Sequence, residues 1–223
     1  MSSISQTIKS IQSKIPQDVK LIAITKQVGI EPIKEAYQTG IRDFGENRLQ
    51  EALSKQEKLT ELVDINWHFI GHIQKNKARK VIESFDWIHS VDSLALAKRL
   101  NRLAEELDRH PKVFLQVKVL PDPNKYGWEV AELIEDLAEL DRCSCLQIRG
   151  LMTILPLGLS ASETLKAFQN TKELAITIAR KNYHNISMEE LSMGMSGDYL
   201  QAIAAGATMI RLGRTIFGER PTK

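Results

Sequence analysis

The segment Val19-Lys20-Leu21-Ile22-Ala23-Ile24-Thr25-Lys26-Gln27 separates two architectures. Its first seven residues form a short, nearly continuous apolar run, which predicts a strand buried on both faces. A doubly wound open sheet would need a glycine-rich first turn and a topological switch point. This strand runs instead into Thr25-Lys26-Gln27, with no such turn, and that favours a closed barrel.

The rest of the chain repeats the same alternation. An amphipathic opening segment with Ile4, Ile8, Ile11 and Ile15 ends at Pro16. After the first strand, helical stretches over Glu31–Gln38, Asn47–Leu62, Lys75–Ser84, Ser93–Asp108, Trp128–Leu140, Ser162–Asn182 and Tyr199–Ala205 alternate with further strands. These are predicted over Ile41–Gly45, Ile65–Ile70, Trp87–Val91, Val113–Leu120, Leu146–Leu151, Glu190–Met193 and Thr208–Leu212. Asp92 and Ser93 are both candidate caps for the helix that follows the fourth strand. Eight strand–helix units in about 200 residues predict a single (β/α)8 TIM barrel in the α/β class. No internal linker or repeat breaks the chain, so one domain over residues 1–223 is expected.

Bulk properties narrow the function. The 223 residues are 43% hydrophobic and 26% charged, with a net charge of +2, the profile of a globular protein rather than a disordered one. The densest basic stretch, Lys75-Asn76-Lys77-Ala78-Arg79-Lys80, reads as a solvated helix start or a local anion site. It lacks interleaved aromatic residues, so no nucleic-acid partner is expected. Cys143 and Cys145 are too close to bridge without strain and have no companions for a zinc site. There is no secretory leader and no long apolar span, so no membrane partner is expected. With unpaired thiols, these features point to the cytoplasm.

In a barrel, reactive groups gather at the C-terminal ends of the strands. The polar residues predicted there include Lys26; Glu46, Asn47 and Arg48; His68 and His72; His89 and Asp92; Met152 and Thr153; Ser192; and Arg211. Gly194, Ser196 and Gly197 after the seventh strand, and Gly213, Arg214 and Thr215 after the eighth, have the composition of a phosphate cradle. Lys26, behind an apolar run, is expected to be partly desolvated. Its pKa would then fall, freeing the amine to attack a carbonyl. Lys118 and Lys125 are rival lysines. Arg211 can only donate hydrogen bonds; it either faces a ring nitrogen or makes an ion pair inside the barrel.

Six segments carry a family resemblance: Ile24-Thr25-Lys26, Phe44-Gly45-Glu46-Asn47, Trp67-His68-Phe69-Ile70-Gly71-His72-Ile73-Gln74-Lys75-Asn76-Lys77, Arg149-Gly150-Leu151-Met152-Thr153, Leu191-Ser192-Met193-Gly194-Met195-Ser196 and Arg211-Leu212-Gly213-Arg214-Thr215-Ile216-Phe217-Gly218. They span almost the whole chain, in order. On them the chain resembles the pyridoxal phosphate homeostasis proteins, also called the proline-synthetase co-transcribed family. The resemblance implies a fold-type III barrel like the N-terminal domain of alanine racemase, without the C-terminal β domain. It implies pyridoxal 5'-phosphate bound as a Schiff base on Lys26, with Asn47 beside the cofactor and Met152 near its ring. Ser196, Gly213 and Thr215 would serve the phosphate and Arg211 the ring nitrogen. Ser192 and Arg214, from the same two loops, complete the cofactor-binding set, and His68 is expected close by. The function implied is vitamin B6 homeostasis by carrying, buffering or regulating the cofactor, with apo-enzymes that need it as possible partners. The loop Pro121-Asp122-Pro123-Asn124, shorter than in many relatives, departs from the family pattern.

The competing expectation is slow amino-acid racemisation, which needs an acid/base group on each face of the substrate. Of the four tyrosines, only Tyr126 and Tyr199 are predicted near strand ends, and neither has an evident base partner. No catalytic residue is therefore assigned. A monomer is expected, because the racemase dimer contact belongs to the β domain. A third possibility is a scaffold whose charged helix over Lys98–Arg109 meets a partner.

Overall fold

Short apolar runs with helices between them bury both faces of a parallel sheet. The computed structural model describes residues 3–219; positions 1–2 and 220–223 of the expected domain lie outside the described residues. The strands in chain order are β1 (Lys20–Ile24), β2 (Asp43–Glu46), β3 (Asn66–Phe69), β4 (Trp87–Val91), β5 (Lys112–Lys118), β6 (Trp128–Glu129), β7 (Gln147–Met152), β8 (Ile186–Ser192) and β9 (Met209–Leu212). The helices are α1 (Ile4–Gln12), α2 (Ile30–Gln38), α3 (Leu49–Lys58), α4 (Ala78–Ser84), α5 (Leu94–Glu106), α6 (Val130–Leu140), α7 (Ala161–Ala179), α8 (Tyr199–Ala204) and α9 (Arg214–Phe217).

The strands run β4-β3-β2-β1-β9-β8-β7-β5, and a β4–β5 pairing closes the ring. Every pairing is parallel. The result is the single eight-stranded parallel β/α barrel expected from the sequence. β6 pairs only with β5, outside the ring. Two apolar clusters divide the packing. Ile22, Ile24, Trp87, Phe114, Met152 and Met209 fill the inside with strand residues alone. A larger outer cluster sets strand residues such as Phe44 and Leu151 against helix residues such as Ile33, Leu100 and Phe168. In β1, Ile22 and Ile24 face inward while Leu21 and Ala23 face the helices, as a period of two requires.

The element ends follow local chemistry. The Ser93 side chain, not Asp92, accepts the N–H of Leu96 and caps α5. Ser160 and Glu163 form a reciprocal capping box on α7. Several boundaries differ from expectation, three of them by a change in the local structure. α3 begins at Leu49 because Arg48 stays extended, leaving Asn47 and Arg48 in the loop above β2. Trp128 and Glu129 pair with β5 instead of opening α6. β8 starts at Ile186, four residues before the apolar pattern shows it, because Ser187, Met188 and Glu190 are only half-buried and Glu189 is exposed. Among the described residues, no helix is long and apolar enough to cross a membrane.

Gly150 of β7 lies opposite Glu190 of β8. A Cβ at Gly150 would lie 1.7 Å from the Glu190 carbonyl oxygen, so a side chain there must push two barrel strands apart. Gly150→Ala is expected to cost about 2–4 kcal/mol in urea unfolding. A loss under about 0.5 kcal/mol, the scale of a neutral surface change, would show that these strands yield freely.

Candidate functional site

Lys26 lies two residues beyond the end of β1, half-buried, in a turn whose next residue, Gln27, has φ 61°. A non-glycine residue in that region needs outside support. Lys55 of α3 supplies it. Its Nζ donates to the Thr25 carbonyl, Glu46 Oε1 and Glu51 Oε1, each at 2.6 Å. Thr25 Oγ1 also donates to Glu46 Oε1 at 2.7 Å, and the Gln27 N–H donates to Glu51 Oε1. Both neighbours of Lys26 are thus tied to one buried cluster. Burial pushes the Glu46 carboxyl up, against the opposing hydrogen bonds from Lys55 and Thr25. Of the rival lysines, Lys118 is held by Glu129 at 2.7 Å. Lys125 sits in the loop before β6.

Asn47 stands above β2, and its buried Oδ1 has no hydrogen-bond partner among the described residues. The loop after β3 presses on its backbone: a Cβ at Gly71 would lie 2.1 Å from the Asn47 carbonyl oxygen. Met152, fully buried, ends β7 and belongs to the inner apolar cluster. The two glycine-containing loops are joined, since the Thr215 N–H donates to Ser196 Oγ at 3.3 Å. Gly194, at φ 91°, lies against Ala202 and Tyr199 of α8. Gly213 is buried, Thr215 half-buried and Arg214 exposed. β1, β9 and β8 are consecutive in the ring, so Lys26, Gly213–Thr215 and Ser196 extend from neighbouring strand ends on the same rim.

Arg211 is 3% exposed. It has a hydroxyl and a carbonyl as partners, Ser192 Oγ at 2.6 Å and the Thr153 oxygen at 2.9 Å. That is not the carboxylate pair left open by the sequence. Burial lowers its pKa to about 10, with the charge of Asp198 working the other way. Beneath Ser192 lie two histidines. His89 Nδ1 is 2.8 Å from Ser192 Oγ, and its Nε2 is 2.9 Å from His68 Nδ1. His68 Nε2 is 2.9 Å from Asp43 Oδ1, and Asp43 pairs with Lys20 at 3.3 Å. His68 and His89 are fully buried. Burial holds both rings below the usual histidine pKa, His89 further because His68 and Arg211 add repulsion, while Asp43 partly offsets the effect at His68. Burial works to raise Asp43, but His68 and Lys20 outweigh it and its carboxyl lies below its usual range.

Sequence reading placed His68, His89, Ser192 and Arg211 near strand ends but did not connect them, and it missed Asp43 and Lys55. The pattern held a partial signal: Asp43 and Gly45 share a face of β2, and Gly45 sits opposite His68. Elsewhere on the rim, His72 Nδ1 is 3.0 Å from Asp92, and the Tyr126 ring stacks on His72 at 3.8 Å. In the basic stretch, Arg79 pairs with Glu106 and Lys80 with Glu83. Cys143 and Cys145 are both free thiols.

The sequence profile of the alanine racemase N-terminal domain matches residues 1–221. The chain is 55% identical over 210 residues to a "Pyridoxal phosphate homeostasis protein" of Synechocystis sp., covering 94% of this chain and 95% of that one. It superposes on PipY of Synechococcus elongatus PCC7942, solved with pyridoxal phosphate bound, with a TM-score of 0.93 and 50% identity, covering 97% of this chain and all of that one. Alanine racemase of Clostridium difficile shares the fold, with a TM-score of 0.83 at 15% identity over 99% of this chain and 58% of the racemase.

The buried histidines set a pH dependence. Their folded-state pKa values lie below the ordinary 6.5, so the unfolded chain binds more protons as the pH falls through that value. Stability is therefore whole above pH 6.5 and is lost below it. Glu46, raised by burial, acts in the opposite sense. The expected net loss between pH 6.5 and 5.5 is about 1 kcal/mol in urea unfolding. A profile that rises across this interval would show that the rings are charged in the native state.

Proposed function

The chain belongs to the pyridoxal phosphate homeostasis protein family, and from that premise we propose that it holds pyridoxal 5'-phosphate as a Schiff base on Lys26. The observation that carries the reading is the convergence on one rim of a lysine after β1, joined glycine loops after β8 and β9, and a buried arginine without a carboxylate partner among the described residues. The residues suit the cofactor. Asn47 Oδ1 is a buried acceptor with no partner among the described residues. Ser196, Gly213, Arg214 and Thr215 would surround the phosphate, and Met152 would meet the ring. Ser192 would act through the guanidinium it accepts from. Arg211 has five N–H groups, two of them committed, and would donate another to the ring nitrogen.

The bound cofactor supplies an aldehyde for the imine and a ring that can withdraw electrons. An arginine cannot give its proton to the ring nitrogen, which leaves that nitrogen neutral and the ring a weak electron sink. This favours carriage, buffering or delivery of the cofactor by a single-domain monomer over turnover. Tyr126, one of the two tyrosines considered for acid/base work, is 57% exposed and stacked on His72.

Added pyridoxal phosphate should turn the protein yellow, and borohydride should fix the adduct on Lys26. A Lys26→Ala protein that forms the same imine would move the site to another lysine. Ser196→Ala with Thr215→Ala should weaken cofactor retention by about tenfold, as expected for one or two lost hydrogen bonds. Single-enantiomer amino acids should not be racemised; turnover at about 1 s⁻¹ or faster, the usual enzyme range, would replace carriage by catalysis. Transfer to apo-enzymes faster than release into solution would identify delivery.

A further inference from the structure

Five polar groups form an unbroken line inside the barrel. From Arg211 to Ser192, His89, His68 and Asp43 the links measure 2.6, 2.8, 2.9 and 2.9 Å. The two ends have opposite character: a guanidinium can only donate, and an ionised carboxylate can only accept. With both rings neutral, as their burial favours, the direction of each proton follows from the carboxylate end. His68 carries its proton on Nε2 and donates to Asp43, which leaves its Nδ1 bare to accept from His89 Nε2. His89 Nδ1 is then bare and accepts the Ser192 hydroxyl hydrogen, while Ser192 Oγ accepts from Arg211.

The line also joins the two ends of the barrel. Arg211 is the third residue of β9, Ser192 is the last of β8, and both belong to the half of the barrel that carries the rim loops. Asp43 is the first residue of β2, and its ion-pair partner Lys20 is the first of β1, so that pair sits on the floor.

We propose that Asp43, His68 and His89 are positioning residues for the cofactor site, forming a one-way relay that holds Arg211 as the donor to the ring nitrogen, with Asp43 as its remote counter-charge. The inference rests on the cofactor reading above. A buried cation without an adjacent carboxylate is costly. Aligned hydrogen bonds that end on an anion offset part of that cost, since each link polarises the next. A carboxylate touching Arg211 would compete for the N–H groups that must serve the cofactor; one at the far end does not. The relay does not conduct protons, because its direction reverses only if the guanidinium accepts one.

The test begins on cofactor-free protein with ¹⁵N-labelled histidine. NMR should show His68 and His89 neutral at pH 7.5, each protonated on Nε2. A charged ring, or a proton on Nδ1 of either, overturns the relay. Asp43→Asn keeps the shape but lets the terminus donate as well as accept. It should destroy the single tautomer at His68 and weaken pyridoxal phosphate retention about fivefold, the scale of one hydrogen bond. Lys20→Met keeps the carboxylate, and should leave both tautomers in place and retention within twofold. Wild-type retention in Asp43→Asn would overturn the link between floor and rim. Wild-type tautomers in a protein that forms no imine would overturn the cofactor reading and the positioning role with it, leaving the hydrogen-bond line itself in place. The tautomer measurement needs no variant, so a failure of Asp43→Asn to fold does not remove the test.

Discussion

The parallel pairing of β1 with β9 joins the first strand of the ring to the last, and the site is a consequence of that closure. A closed parallel sheet has no edge, and it brings every strand out on the same face. Loops that are distant in sequence become neighbours there: Lys26 follows β1, while Gly213 and Ser196 follow β9 and β8, the next two strands round the ring. An open sheet with the same elements would place the first and last strands at separate edges. The lysine and the glycine loops could not then face a common ligand. The short β6, paired with β5 alone, adds nothing to closure and marks the loop that carries Tyr126.

Closure also sets the electrostatic problem. The inside of the barrel packs Ile22, Ile24, Trp87, Phe114, Met152 and Met209 into one apolar cluster. Charges placed near such a core must be connected or they destabilise it. Two connected systems result. Around Lys26, the cluster of Lys55, Glu46 and Glu51 fixes the backbone of a turn with one residue at positive φ. On the inside, Arg211 is connected through Ser192 and two buried histidines to Asp43. The first system grips the chain on either side of Lys26. The second links a guanidinium, through a hydroxyl and two rings, to a carboxylate. Neither depends on the other's residues, so each can be altered alone.

The legible part of this arrangement is the part written in local pattern. Apolar runs marked the strands, glycine and polar residues marked their ends, and the rim residues, Lys26, Asn47, Ser196, Arg211 and Thr215 among them, followed from the rule that barrel chemistry sits there. The first half of β8 was hidden because Ser187, Met188, Glu189 and Glu190 are not fully buried and break the apolar signal. Lys55 lies in Ser54-Lys55-Gln56-Glu57-Lys58, which looks like any solvated helix face. Its burial comes from where α3 packs, a tertiary fact without a local signature. Asp43 likewise resembles an ordinary strand-entry residue until the ring places it under His68.

Under the proposed function, the same geometry would separate carrying a cofactor from using it. Turnover at a carbon attached to the imine requires the ring to accept electron density, which a protonated ring nitrogen promotes and a neutral one opposes. Arg211 is bound to Ser192 and Thr153, and the hydroxyl it meets is in turn bound to a buried ring. Giving up its proton would cost the charge that this whole line is arranged to stabilise. On the proposed reading, a barrel built this way would hold an aldehyde and its phosphate while leaving the ring electronically quiet, and a reversible imine is all that storage or delivery needs.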